Sequence, residues 1–223
     1  MSDPVRRPAI AEQVSELTTA RLSIYLRCLE QLADAGVSAV SSNALAERFG
    51  LNAAQIRKDL ANFGEFGVRG VGYSVSDLQR QLRQILGIDR RLRVVILGAG
   101  NLGLALADYP GFRDDGFEVV ALFDNDPDKV GRYSRGGVAV HHVDDLPEIA
   151  GREHVDIAVV SVPGHAAQDV VEVAVAAGIR AILNFSPGAL KVPAGVKLKS
   201  VDLTVSLESL SFFLATERHD GST

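Results

Sequence analysis

Three glycines in the run LGAGNLG stand in the pattern G-x-G-x-x-G, as Gly98, Gly100 and Gly103. The apolar run RVVIL (93–97) precedes them and NLGLALADY follows. Gly98 permits a tight turn, Gly100 lets the backbone approach a pyrophosphate with no Cβ in the way, and Gly103 lets a helix pack close to the strand. The helix start adds free N–H groups and a partial positive charge, so Ala99, Asn101 and Leu102 complete a phosphate cradle. Asp124 closes the next apolar run, EVVALF (118–123). A carboxylate there accepts hydrogen bonds from adenosine ribose hydroxyls, and with Asp126 nearby it repels a 2′-phosphate, favouring NAD(H) over NADP(H). The same loop also suits coenzyme A or another nucleotide.

Hydride transfer needs an acid or base for the substrate oxygen. His165, in VVSVPGHAAQ, is the one histidine near the expected carboxyl end of a later strand. The chain leaves no room for a separate substrate domain. A second use of the loop stays open beside a small oxidoreductase: the nucleotide is held as a signal. Oxidised nicotinamide is charged and the reduced ring is neutral, so a water-poor pocket favours NADH. The segments VPG (162–164) and NFSPG (184–188) supply candidates for it: Val162, Pro163, Asn184, Pro187, and Phe185 as an apolar wall.

A different chemistry lies upstream. In SNALAERFGLNAAQIRKDLANF (42–63), Ala46, Gly50 and Ile56 fall at the fifth, ninth and fifteenth places of a helix-turn-helix frame. Ile56, Leu60 and Phe63 form a buried stripe. Gln55, Lys58, Asp59 and Asn62, with Arg57 flanking, make a face for base edges and phosphates. The run EFGVRGVGYSV reads as a tight two-stranded hairpin, which makes the unit a winged helix, with Arg69 at its tip for a minor groove or a phosphate. Ser42 and Asn52, near the starts of the two helices, complete the expected DNA contacts.

These residues need elements to hold them. Apolar spacing at Leu22, Tyr25, Leu26, Leu29 and Leu32 predicts a helix over 20–35. Two short helices follow, the first entered through Ser42 or Asn43 and closed by Gly50. SDLQRQLRQIL is a further helix, capped by Ser76 and ended by Gly87. Beyond the linker GIDRR the rhythm changes to Val-, Ile- and Leu-rich strands alternating with helices. That pattern specifies a parallel sheet covered on both faces. The fold class is therefore α/β: a winged-helix DNA-binding domain (1–90), a Rossmann-like NAD(H)-binding domain (91–204) and a C-terminal helix with its tail (205–223). SLESLSFFLATE puts Leu207, Leu210, Phe213 and Leu214 on one stripe that needs a surface to cover.

Composition limits the alternatives. In a chain of 223 residues, no apolar run approaches the roughly 18 that a membrane span needs. The N-terminus has no apolar signal core, and Cys28 is the only cysteine, so a reducing cytoplasm is expected. Cys28 shares the face of Tyr25 and Leu32, which reads as core packing. Residues 1–91 carry 12 Lys and Arg against 10 Asp and Glu, and the remainder 11 against 18. Contact with a polyanion therefore belongs to the first part. No metal-ligand cluster is read from the sequence.

Taken together, AAQIRKDLANFGEFGVRGVGY, LGAGNLGLALADYPGF, FDNDPDKVG, VPGHAAQ and ILNFSP resemble the redox-sensing transcriptional repressor family Rex, from about residue 15 to 215. The resemblance implies a homodimer that binds palindromic operator DNA, represses genes of NADH re-oxidation and fermentation, is released by NADH, and is not an enzyme. It implies that the C-terminal helix is exchanged between subunits, and that the nucleotide-binding half is similar to coenzyme A-binding domains. It also implies that Gly98 to Gly103 bind the pyrophosphate, that Asp124 binds the adenine ribose, and that Tyr109, Asp202 and Arg21 form a redox-sensing network. Asn101 departs from the arginine frequent in the family.

Overall fold

A computed structural model describes residues 15–68 and 71–220, with side chains as far as Ala215. Arg69 and the tail before residue 15 lie outside the described residues. The chain divides into two compact units, residues 1–90 and 91–223.

In the first unit, helix α1 (Glu16–Asp34) buries Leu22, Tyr25, Leu26, Leu29 and Leu32, the stripe its spacing predicts. Ser15 caps its start. Helices α2 (Ser42–Phe49) and α3 (Ala53–Ala61) are joined through Gly50, which is left-handed at φ 65°. Ala46 and Ile56 are buried where the two meet the core. Each cap is a side chain placed one step before the first helical N–H groups. Ser41 caps α2, in place of the expected Ser42 or Asn43, and Asn52 caps α3. Ser74, not Ser76, caps α4 (Val75–Leu86), which Gly87 ends. An Arg83–Glu30 ion pair at 2.6 Å ties α4 to α1.

The wing is smaller than the expected hairpin. A single antiparallel bridge joins Val68 to Gly72. The regular strand β2 (Tyr73–Ser74) pairs instead with β1 (Ala39–Val40). Glycine is required on both sides of the turn. A Cβ on Gly67 would meet the Gly72 carbonyl oxygen at 2.4 Å, and one on Gly72 would meet the Val40 carbonyl oxygen at 2.6 Å. The first approach is across the wing itself and the second is to β1.

The second unit is a six-stranded parallel sheet: β3 (Leu92–Leu97), β4 (Phe117–Asp124), β5 (Val140–His142), β6 (Ile157–Val160), β7 (Ala181–Asn184) and β8 (Lys197–Ser200). Their order is β5-β4-β3-β6-β7-β8. Alternate residues serve the two faces. Val95, Leu97, Phe123 and Val160 pack with residues of α7 (Leu146–Glu153) and α8 (Gly164–Ala176). Val94, Ile96, Leu122 and Val159 pack with Leu104 of α5 (Asn101–Ala107). Val140–His142 is a parallel edge strand on β4. A five-residue helix, α6 (Pro110–Asp114), with proline in its first turn, follows α5. Helix α9 (Leu203–Asp220) ends the described chain.

The first unit also buries a charge. Asp59 of α3 is only 1% exposed, and both its carboxylate oxygens are bonded. Oδ2 accepts from Arg21 Nε at 2.5 Å and the Tyr25 hydroxyl at 2.9 Å, and Oδ1 accepts from Arg21 Nη2 at 2.8 Å and Gln55 Nε2 at 2.7 Å. Burial alone would raise its pKa, but the bonds from Arg21, Gln55 and Tyr25 outweigh it and hold the carboxyl below its ordinary value. Burial and the same bond push Tyr25 up to about 12. A depressed carboxylate stabilises the fold above its unfolded pKa, and that support drains as pH falls below the ordinary carboxylate range. A raised phenol stabilises the fold below about pH 10 and loses its effect as pH climbs towards 12. Tyr25→Phe removes one bond to the buried charge and should cost about 1.5 kcal/mol in urea unfolding at pH 7.

Candidate nucleotide and nucleic-acid surfaces

Strand β3 pairs with β4 on one side and β6 on the other, so the sheet order reverses at β3. Loops leaving neighbouring strands to opposite faces open a crevice there, where parallel sheets bind ligands. The glycine loop leaves β3 and Ser161-Val162-Pro163 leaves β6. Each glycine has its own constraint. Gly98 has φ 108°, and a Cβ there would meet the Ser161 carbonyl oxygen at 2.7 Å. A Cβ on Gly103 would lie 1.9 Å from the Gly98 carbonyl oxygen. Gly100 faces open space, with nothing within 4 Å of a Cβ. It starts α5 without a side-chain cap. Two glycines thus close the turn, and the third leaves room against uncapped helical N–H groups. That arrangement fits an anionic pyrophosphate. Leu102 is exposed, and Asn101 lines a cleft of about 440 Å³ with Leu104, Asp108, Tyr133, Ser134 and Arg135.

Asp124 is bonded to the loop it was expected to serve. Its Oδ2 accepts from the Ala99 N–H at 2.8 Å and from Lys129 Nζ at 3.0 Å, and its Oδ1 accepts from the Asp126 N–H at 3.0 Å. Burial pushes its pKa up, but the Asp126 N–H, Lys129 and the Ala99 N–H push further down, so the carboxyl stays below its ordinary value. Sequence reasoning missed Lys129. The signal was a lysine five residues beyond the strand-closing aspartate, in the turn that doubles back.

The residues expected to wall a nicotinamide lie on two loops. Phe185 is half-buried against the face that carries Ile96 and Leu104. The two loops are knitted by a bond from Ser186 Oγ to the Val162 carbonyl at 2.6 Å. Pro163 and Pro187 are exposed. Asn184 spends its side chain on its own turn. It is fully buried, its Nδ2 donates to the Ser186 carbonyl and to Ser200 Oγ, and its Oδ1 accepts from the Ser186 N–H. A buried amide must satisfy both ends, and the NFSPG turn consumes them. His165 is exposed at the start of α8.

Tyr109 is 55% exposed and stacks edge-on against Phe112. Asp202 is exposed, and its Oδ1 accepts from the Thr204 and Val205 N–H groups at the start of α9. Arg21, expected in a network with them, is bidentate on Asp59 within its own unit. Leu207, Leu210, Phe213 and Leu214 of α9 are each more than half exposed.

On α3, Arg57 and Lys58 are exposed, as expected of a reading face. Asp59 is not on that face. It lies on the buried stripe, because a carboxylate that finds Arg21, Tyr25 and Gln55 inside is better bonded there than in a like-signed approach to DNA. Ser42 is buried as well, and its hydroxyl accepts from Arg57 Nη1 at 2.7 Å, with Asn43 Oδ1 at 3.3 Å. Ser42 therefore holds Arg57. Asn52 is exposed, and its Oδ1 accepts from the Gln55 N–H at 3.0 Å. Gln55 is half-buried.

Among the described residues no cluster of three or more metal-ligating side chains occurs, and no helix is long and apolar enough to cross a membrane.

The model of a CoA binding domain matches residues 89–188, and that of a "Putative DNA-binding protein N-terminus" matches residues 13–61. The redox-sensing transcriptional repressor Rex of Desulfitobacterium hafniense is 47% identical over 206 residues, covering 92% of this chain and 98% of that protein. The Rex protein of Thermus thermophilus is 50% identical over 201 residues, covering 90% and 93%. The crystal structure of RSP with NAD⁺ and operator DNA is similar at a TM-score of 0.87 and 40% identity, covering 94% of this chain and 98% of that one. RSP with NADH is similar at 0.81 and 39%, covering 93% and 97%.

The glycine geometry predicts a sharp contrast. Gly103→Ala should cost about 3 kcal/mol, since the clash is with backbone that cannot step aside, whereas Gly100→Ala should cost less than about 1 kcal/mol. Urea unfolding of the two variants measures both.

Proposed function

The chain belongs to the Rex family of redox-sensing transcriptional repressors, and from that premise we propose that it is an operator-binding repressor released by NADH. The observation that carries this reading is one chain holding both an exposed Arg57–Lys58 face on a helix-turn-helix and a glycine cradle at a sheet switch point. The nucleotide acts as a signal and undergoes no reaction. The oxidoreductase reading rests on His165, which is exposed.

Gly98 to Gly103 hold the pyrophosphate, and Asp124 takes the adenine ribose. When bound, the nicotinamide supplies a charge that differs between its two redox states. Val162, Pro163, Phe185 and Pro187 give that ring apolar surroundings, where an unpaired charge is costly and the neutral ring is favoured. Arg57 and Lys58 contact DNA. The exposed stripe on α9 joins two copies into a homodimer, and paired recognition helices fit half-sites only at spacings of whole helical turns. A change of subunit geometry then releases the operator. By linkage, DNA weakens NADH binding by the factor with which NADH weakens DNA binding. A protein acting on DNA in this way works in the cytoplasm.

A gel-shift titration on operator DNA tests the reading. NADH should dissociate the complex and NAD⁺ should not; a complex indifferent to NADH refutes the proposal. Lys58→Ala should weaken DNA binding and lower the slope of log affinity against log salt by about one. Asp124→Ala should blunt the effect of NADH while affinity for DNA without nucleotide stays unchanged.

A further inference from the structure

The buried aspartate of α3 has a use beyond holding helices together. Gln55 lies in the first turn of α3, the part of a recognition helix that meets base edges. Its side-chain amide can point either way, and in solution it offers a donor and an acceptor equally. Here Nε2 donates to Asp59 Oδ1 at 2.7 Å. An ionised carboxylate only accepts, so the reverse orientation would set two oxygens against each other. Arg21 and Tyr25 keep that carboxylate ionised and immobile from the other side. With one of the two Nε2 hydrogens spent on Asp59, the amide is fixed in one orientation, and Oε1 has no partner among the described residues. Its neighbour Asn52 spends the oxygen of its amide on the helix cap.

Resting on the DNA-binding reading above, we propose that Asp59 sets the base preference of α3 by holding Gln55 as an outward acceptor. On the strand under Gln55 the base is then one that carries an exocyclic amino group into the major groove, adenine through N6 or cytosine through N4, and not thymine or guanine. Asp59 is a positioning residue that never touches DNA.

The full-length protein selects duplexes from a random pool, and its affinity is measured for the selected duplex and for each single base-pair substitution. The wild type should demand adenine or cytosine at one position of each half-site. Gln55→Ala should lose about tenfold discrimination at that position alone. Asp59→Asn, whose amide lets Gln55 turn either way, should flatten the same position. Tyr25→Phe, which leaves the Gln55 bond in place, should keep the profile. An even loss at every position in Asp59→Asn, or an unchanged profile in Gln55→Ala, overturns the proposal. Should Asp59→Asn not fold, the side-chain amide of Gln55 decides the matter in the wild-type protein by ¹H–¹⁵N correlation. A downfield, slowly exchanging pair supports the bond to Asp59, and a pair indistinguishable from exposed glutamine overturns it. A wild-type protein that selects no sequence removes the DNA-binding reading itself, a result separable from all of these.

Discussion

A carboxylate taken out of water must be given hydrogen bonds, and in each unit one aspartate imposes that demand on its surroundings. Asp59 draws in Arg21 and Tyr25 from α1 and Gln55 from its own helix. Asp124 draws in the Ala99 and Asp126 N–H groups and Lys129. The recognition helix is thereby seated against α1, and the glycine loop against the end of β4. In both places the surface offered to a ligand is arranged by a charge that lies behind it.

The two aspartates differ in what they leave over. Asp59 is satisfied inside and presents nothing outward itself. Asp124 keeps an edge near the crevice, and Lys129 beside it balances one negative charge while Asp126 adds another. Lys129 Nζ lies 3.7 Å from Asp126. A ribose diol can join such a network as both donor and acceptor, whereas a phosphate would have to displace it. On the function proposed above, discrimination between nucleotides rests with this three-residue group.

Much of this was legible in the sequence where backbone geometry dictates residue type. Gly98 and Gly103 admit no side chain, and Gly50 takes a left-handed turn, so their spacing carried the turn and the cradle. The alternation of β3, β4, β6 and β7 carried the sheet. Short edge strand β5 was missed because three residues show no period. Asp59 was misplaced for a more instructive reason. Positions 56, 59, 60 and 63 fall at the i, i+3, i+4, i+7 spacing of one buried stripe, so the period itself placed Asp59 inward, and residue chemistry was allowed to overrule it. An arginine and a tyrosine four apart on α1, Arg21 and Tyr25, were the available signal that a charge could be received there. Asn184 and Ser42 follow the same rule: the buried amide serves its loop and the buried hydroxyl serves the neighbouring arginine.

The sulfur chemistry of the chain has its own consequence. Apart from Met1 its only sulfur is in Cys28, which is buried in the core of the first unit. Burial raises the pKa of that thiol and keeps it protonated, and the thiol form is a poor nucleophile towards peroxides. A protein of this family answers to the reducing power of its surroundings, yet this one gives an oxidant almost nothing to attack. The one thiol of the chain is withheld from oxidants by the core that holds it.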